Sequence, residues 1–327
     1  MTVDLTLACY PYEWTTPLWD GRVEPQGVSL TTVDYPNPER FRRMARRLEF
    51  DACEMSMGTY LASRRAPAEF PFTAIPVFPY RRFRHSYMYR RRDAEGATPA
   101  DVDGARVALV NWQTTTGIWQ RGILADRYGV DLTSVDWVAT GTEILELDPS
   151  GYDIDYRAPP DGSAVPHLEE LVEEDEVDFV LTPVHLQTDA AERLFAEPVE
   201  TEKQYYRETE IFPIMHTVVV RDDVLAEQPW VAQNLFDAFE EAKQAALDSL
   251  DRPRRFPLAW SQPLVDEQRA VLGDDPWEYG LTERNVTTLE TLVRYAHEQG
   301  VAAEQYDVES LFATEHIDQR WFGSGGT

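Results

Sequence analysis

Two widely separated stretches of this 327-residue chain are built alike: Pro76-Val-Phe-Pro-Tyr-Arg-Arg-Phe-Arg-His-Ser-Tyr-Met-Tyr89 and Ile211-Phe-Pro-Ile-Met-His-Thr-Val-Val-Val-Arg221. Each sets a histidine (His85, His216) beside a hydroxyl residue (Ser86, Thr217) in an apolar run too aromatic or β-branched for a simple loop. A chain of this length exceeds one compact core, so lobes of roughly 100 to 200 residues are the prior. The two segments then read as crossover strands between two α/β lobes, with a site in the cleft. The expected division is 1–88 and 217–327 for the first lobe and 89–216 for the second.

Strand and helix signals alternate along the chain. Strands are expected near residues 3–9, 27–33, 50–56, 104–110, 135–139 and 177–181, and helices near 41–48, 58–63, 118–128 and 167–174. Residues 141–166, rich in Asp, Pro and Gly, read as a surface loop, and long amphipathic helices are expected over 229–250 and 285–299. No apolar run approaches the roughly 18 residues of a membrane helix.

Acidic residues outnumber basic ones 58 to 30, a net charge of −28. That charge repels phosphate backbones and anionic lipid, which argues against nucleic acid or membrane as partner. An acidic coat with Lys203 and Lys243 as the only lysines fits a halophilic, salt-rich cytoplasm. Asp4 stands where a secretory signal would be basic, and no long apolar stretch follows, so a cytoplasmic location is expected. Cys9 and Cys53 are then expected to stay reduced.

Against that background, local basic groups matter. Arg81, Arg82 and Arg84 cluster beside His85, and guanidinium matches carboxylate in a bidentate fork. Strand alternation would turn Arg82, Arg84 and Ser86 to one face, and Arg81, Phe83 and His85 to the other. Asn111-Trp-Gln-Thr-Thr-Thr116 lies where a strand hands over to a helix, so amide N–H groups and the hydroxyls of Thr114, Thr115 and Thr116 can receive an anion. It lacks the lysine and glycines of a nucleotide-binding loop. His85 and His216 are candidate general acids or bases. Glu54, buried in an apolar strand end, either holds its proton tightly or pairs with an arginine. His185, just past Leu181-Thr-Pro, occupies a strand-end position. His85, His216 and Glu54 are not at the short spacing of a metal site, and no Gly-x-Ser-x-Gly elbow occurs.

The chain resembles the 4,5-dihydroxyphthalate decarboxylase family. The resemblance is carried by Leu5-Thr-Leu-Ala-Cys-Tyr10, Asp20-Gly-Arg-Val-Glu-Pro-Gln-Gly27, Phe50-Asp-Ala-Cys-Glu-Met-Ser56, Ile75-Pro-Val-Phe-Pro79 with Phe83-Arg-His-Ser86, Gly117-Ile-Trp-Gln-Arg-Gly122, Ile211-Phe-Pro-Ile-Met-His-Thr217 and Asp274-Asp-Pro-Trp-Glu-Tyr-Gly280. It implies a type II periplasmic-binding-protein-like fold, two α/β lobes joined by two crossover strands. The implied activity is removal of one carboxylate from a dihydroxylated aromatic dicarboxylate by protonation of the ring carbon. No organic cofactor is required, a divalent metal stays open, and the partner is a small aromatic anion, with a homo-oligomer possible. On chemical grounds His85, His216 and Glu54 are expected to be catalytic. Tyr10, Ser56, Arg81, Arg84, Ser86, Asn111, Gln113, Thr114, Thr115, Thr116, Thr182, His185, Phe212 and Thr217 are expected to bind substrate. The rival readings are a solute-binding protein of a transporter and a different enzyme on this fold acting on another aromatic acid.

Overall fold

The computed structural model describes residues 2–318 apart from positions 95, 253, 255 and 256. In chain order its strands are β1 (Val3–Ala8), β2 (Val28–Val33), β3 (Ala52–Ser56), β4 (Phe72–Ile75), β5 (Met88–Arg91), β6 (Arg106–Leu109), β7 (Asp136–Ala139), β8 (Ile154–Tyr156), β9 (Phe179–Leu181), β10 (Ala191–Arg193) and β11 (His216–Arg221). They form two sheets, ordered β2-β1-β3-β11-β4 and β10-β5-β9-β6-β7-β8. In the first, β1 runs parallel to β2 and β3, and β11 enters antiparallel to β3 and β4. In the second, β6, β7, β8 and β9 are parallel, and β5 is antiparallel to β9 and β10.

This topology sets where a ligand can sit. In open α/β sheets ligands bind at the carboxyl ends of parallel strands. Here those ends lead into Cys9 and Tyr10 after β1, Ser56 closing β3, Asn111 after β6 and Thr182 after β9. The two edges meet: the hydroxyls of Ser56 and Thr115 are 2.8 Å apart, and the Gly58 amide donates to Thr115 Oγ1 at 2.9 Å.

The chain passes between the sheets twice, and the two passages lie side by side. Arg82 N donates to the Pro213 carbonyl at 3.1 Å, Met215 N to that of Tyr80 at 2.9 Å, and Val218 N to that of Val77 at 3.1 Å. The second passage ends in a regular strand, β11, but the first does not. Pro76 and Pro79 remove ladder donors, and His85–Tyr87 closes into a 3₁₀ turn just before β5. The expected face alternation therefore fails: Arg81, Arg84 and His85 are all buried, while Arg82 is exposed.

Other differences are smaller. The stretch read as a surface loop contains β8 and the start of helix Ala164–Glu173. Helices Pro198–Thr209 and Ser261–Leu272 add to those expected. Helix Thr115–Tyr128 packs against Glu283–Glu298 at Gly122, where an added Cβ would lie 2.1 Å from the Tyr295 ring, so only glycine allows the approach. Trp119 on that helix donates its indole N–H to the Ile214 carbonyl at 3.0 Å, tying the second lobe's helix to the second crossover. Among the described residues no helix is long and apolar enough to cross a membrane.

Candidate active site

The site is organised by one carboxylate. β3 is an interior strand with every residue buried, so Glu54 is wholly excluded from solvent. Left alone, such a carboxyl would keep its proton. Helix Glu39–Arg47 supplies the countercharge, because its buried face carries Arg40 together with Phe41, Met44 and Ala45. Arg40 Nη2 lies 2.8 Å from Glu54 Oε2, and the rest of the guanidinium is taken up by Asn37 Oδ1 at 2.7 Å and the Tyr35 carbonyl at 3.0 Å. Both side chains of the pair are fully buried.

Glu54 has its remaining lone pairs filled as well. Oε2 also accepts from the Tyr10 amide at 2.8 Å; Oε1 accepts from the Tyr12 hydroxyl at 2.7 Å and from His216 Nδ1 at 2.5 Å. Burial raises the carboxyl's proton affinity, but Arg40, His216 and the Tyr10 amide outweigh it and hold the pKa down to about 2. Of the two alternatives open for this residue, the structure selects pairing with arginine over proton retention.

An ionised carboxylate only accepts, so His216 must carry its hydrogen on Nδ1. The other nitrogen, Nε2, is then a lone-pair acceptor, and it makes no hydrogen bond among the described residues. The register explains the reach: β11 places His216 opposite Ser56 and Val218 opposite Glu54, so Glu54 and His216 share a face as diagonal neighbours. The imidazole sits between Phe41 and Tyr80, with ring centroids 5.2 and 5.0 Å away. Burial lowers its pKa, Glu54 opposes this, and the Arg40 and Arg84 charges add to the depression. His216 is therefore a neutral base near neutrality, backed by a carboxylate and a guanidinium.

Arg84, from the first crossover, supplies positive charge to the same place. It is 1% exposed, and burial brings its pKa down to about 10. Its Nε donates to the Met215 thioether at 2.9 Å, its Nη2 contacts the same sulfur, and its Nη1 is buried without a partner. Thioether sulfur is a weak acceptor. Two other fully buried arginines also leave one nitrogen unpaired, but each has oxygen partners. Arg81 donates to the carbonyls of Phe212 and Glu278 and to Asn285 Oδ1, and Arg121 donates to Gln299 Oε1 and the Trp112 carbonyl. Besides the sulfur, Arg84 has the Tyr80 and Tyr87 side chains around it, with ring centroids 5.9 and 5.5 Å away, and the Tyr80 hydroxyl supports its charge; phenols leave that charge without a counterion.

The remaining expected residues divide. Ser56, Thr115 and the exposed Tyr10 lie on the facing edges. Asn111 Oδ1 caps the Thr114 amide at 3.0 Å, and the Thr114 hydroxyl turns back to the Asn111 carbonyl, while Thr116 is buried two residues further on. The amides of Trp112 and Gln113, which should have received a ligand's carboxylate, are held by Glu143 at 2.7 and 3.0 Å, so this cradle is filled from within the chain. Gln113 is spent on Thr59 and on the amides of Ile144 and Leu145. Thr217 donates to the Ile75 carbonyl in the core, and Thr182 to that of Val184. The Ser86 amide binds Glu202, and Phe212 stacks between Phe83 and Trp277.

His85 is not brought to His216. It is buried between Phe195 and Tyr205, with centroids 5.1 and 5.3 Å away, and its Nδ1 has no partner. Burial, with the Arg127 charge, lowers its pKa to about 4. Sequence reasoning missed Arg40, Tyr12 and Tyr80. Tyr12 both bonds Glu54 and stacks on Trp14 and Tyr80, at 4.9 and 5.7 Å. Arg40 carries a usable signal, since it precedes Phe41 and stands one turn before Met44, on the apolar face of the helix.

Among proteins of known name, the 4,5-dihydroxyphthalate decarboxylase of Comamonas testosteroni is 30% identical over 328 residues, covering 95% of this chain and 96% of that protein. The protein of the same name from Pseudomonas putida is 34% identical over 141 residues, 43% of this chain and 54% of its own. Among solved structures, the periplasmic aliphatic sulphonate binding protein SsuA of Escherichia coli superposes with a TM-score of 0.55 at 10% identity, covering 95% and 92% of the two chains. That likeness concerns the fold alone, and the fold is of the periplasmic-binding-protein kind. No family model matches the chain.

Proposed function

The chain belongs to the 4,5-dihydroxyphthalate decarboxylase family, a carboxy-lyase family, and from that premise we propose that it converts 4,5-dihydroxyphthalate to protocatechuate in the cleft between its two sheets, without an organic cofactor. The observation that carries this reading is the buried line Arg40–Glu54–His216, ending in an unengaged Nε2 in the field of Arg84, whose Nη1 is buried without a partner.

In this substrate each carboxylate lies para to a ring hydroxyl. Arg84, itself buried, anchors the carboxylate that is retained, by charge-assisted hydrogen bonds. His216 Nε2 takes the proton of the hydroxyl para to the departing group, and Glu54 stabilises the imidazolium formed. The oxygen's electron pair moves into the ring and raises electron density at the carbon bearing the departing carboxylate. With His85 sequestered, the His216 imidazolium is also the proton source for that carbon, through a bridging water. The C–H bond forms, the C–C bond breaks, carbon dioxide leaves and its electron pair restores aromaticity. The product phenolate is reprotonated from solvent, so the reaction consumes one proton overall. The stacked Tyr12, Trp14 and Tyr80 supply aromatic faces beside the imidazole for a planar ring.

The test is turnover of 4,5-dihydroxyphthalate by purified protein, followed as carbon dioxide release, for the wild type and for His216→Gln. The variant should lose roughly 100-fold or more in kcat while substrate affinity changes far less. An unchanged rate removes His216 from the scheme. Calorimetric binding without turnover by the wild type would point instead to a receptor.

A further inference from the structure

Three basic side chains converge on Tyr87. The guanidinium carbons of Arg82 and Arg84 lie 5.4 and 5.5 Å from its ring centroid, and His185 stacks on the ring at 4.6 Å and 22°. Arg82 Nε donates to the Tyr87 hydroxyl at 2.9 Å, and the Tyr89 hydroxyl and His185 Nδ1 are 3.0 Å apart. Arg193, paired with Tyr89 across β10 and β5, is close enough for its charge to act on His185. The group sits on the ligand edge of the second sheet, because the Tyr87 carbonyl accepts from the Thr182 amide at the carboxyl end of β9.

What sets the group apart is the lack of acid. On the same sheet Arg90, Arg91 and Arg106 each hold a carboxylate, as expected where acids outnumber bases 58 to 30. Among the described residues Arg82, Arg84 and Arg193 have no carboxylate at ion-pair distance. The carboxylate whose field reaches both Arg82 and Arg84 is that of Glu202, and it is engaged by the Ser86 amide at 2.9 Å. A guanidinium spent on a neutral phenol is held in place without being neutralised.

We propose that Arg82, Tyr87 and His185, with Arg193 at the rim, form an outer anion subsite that reads the second carboxylate of an aromatic dicarboxylate whose first is held by Arg84. The proposal rests on the decarboxylase reading of the cleft and adds to it a preference for dianions over monoanions. Arg84 holds the carboxylate that is retained, so the outer subsite faces the one that departs, and the product keeps only one. That one stays on Arg84 and leaves the outer subsite without an anion, so the product binds more weakly than the substrate and leaves.

Phthalate and benzoate, which lack the ring hydroxyls and cannot be turned over by this mechanism, separate the subsite from catalysis. Their binding is measured by calorimetry at one fixed ionic strength with the wild type, Arg82→Gln and Arg82→Lys, alongside turnover of 4,5-dihydroxyphthalate. Arg82 is exposed, so the fold should survive both substitutions. The expected result is a loss of roughly tenfold or more in phthalate affinity in Arg82→Gln, with benzoate affinity nearly unmoved. Partial rescue is expected in Arg82→Lys, and a KM for the dihydroxy substrate that rises by more than kcat falls. Equal losses for phthalate and benzoate, or no loss for phthalate, would overturn the proposal. A wild type that separates phthalate from benzoate through Arg82 yet releases no carbon dioxide would sink the decarboxylation scheme and leave the subsite standing.

Discussion

Tyr12 and His216 donate to the same oxygen of Glu54, from 2.7 and 2.5 Å. Two donors on one carboxylate oxygen share its charge, so each limits how strongly Glu54 can support a proton on the other. Tyr12, from the first lobe's amino-terminal segment, thereby helps set the basicity of an imidazole more than 200 residues away in sequence.

Replacing Tyr12 with Phe keeps the ring stack and removes one donor. Glu54 then presents more unshared negative charge to His216, which raises the imidazole's pKa from its depressed position. In the wild type the neutral base persists below the ordinary histidine range, so the acid limb of kcat/KM should lie below about pH 6.5. In Tyr12→Phe that limb should move to higher pH. A pH–rate profile of both proteins checks it, and a limb that stays in place would detach Tyr12 from the proton-transfer group.

Arg40 and Glu54 make the second case. Removing one partner of a fully buried pair strands the other charge, at a cost of roughly 3–5 kcal/mol. Arg40→Met should therefore destabilise strongly, and Arg40→Met with Glu54→Gln should recover part of the loss, because the double variant no longer buries an uncompensated carboxylate. Urea unfolding of the wild type, the two single variants and the double variant gives the coupling directly. Additive losses would mean that the 2.8 Å contact is not an energetic pair.

The reasons why some of this was legible in the sequence and some not are physical. Glu54 stands out because an acid between Cys53 and Met55 in a strand run has few ways to be solvated, and His216 because it opens a β-branched strand. Arg40 does not stand out: five arginines share helix Glu39–Arg47, and only helical spacing, not residue type, tells the inward one from the rest. The facings of Arg81, Arg82 and Arg84 are hidden because they follow from a prolyl-interrupted passage and a 3₁₀ turn rather than from a pleat. β8 and β10, at three residues each, are too short to show a period. Helix Pro198–Thr209 has few apolar residues to mark a face, although it shapes the surroundings of His85 through Tyr205. The filling of the Trp112 and Gln113 amides by Glu143 depends on a contact 30 residues along the chain, which no local pattern announces.

His85 offers the sharpest separation of a structural histidine from a catalytic one. Its folded pKa, about 4, lies below the unfolded value near 6.5, because burial disfavours the cation. Between those values the unfolded chain binds the extra proton, so the stability linked to this residue is present above about pH 6.5 and is lost as pH falls toward 4. Across the whole window the loss amounts to about 3 kcal/mol. His85→Phe removes the titrating group from an aromatic pocket already lined by Phe195 and Tyr205. The gap in unfolding free energy between variant and wild type should therefore widen in the variant's favour between pH 7 and pH 4.5, as measured by urea titration at each pH. Turnover at pH 7 should stay within a few-fold of the wild type, because among the described residues no hydrogen bond, ion pair or ring contact joins His85 to Glu54 or His216. A loss of turnover as deep as that of His216→Gln, with stability unchanged, would return His85 to the chemistry and require that the first crossover rearrange when substrate binds.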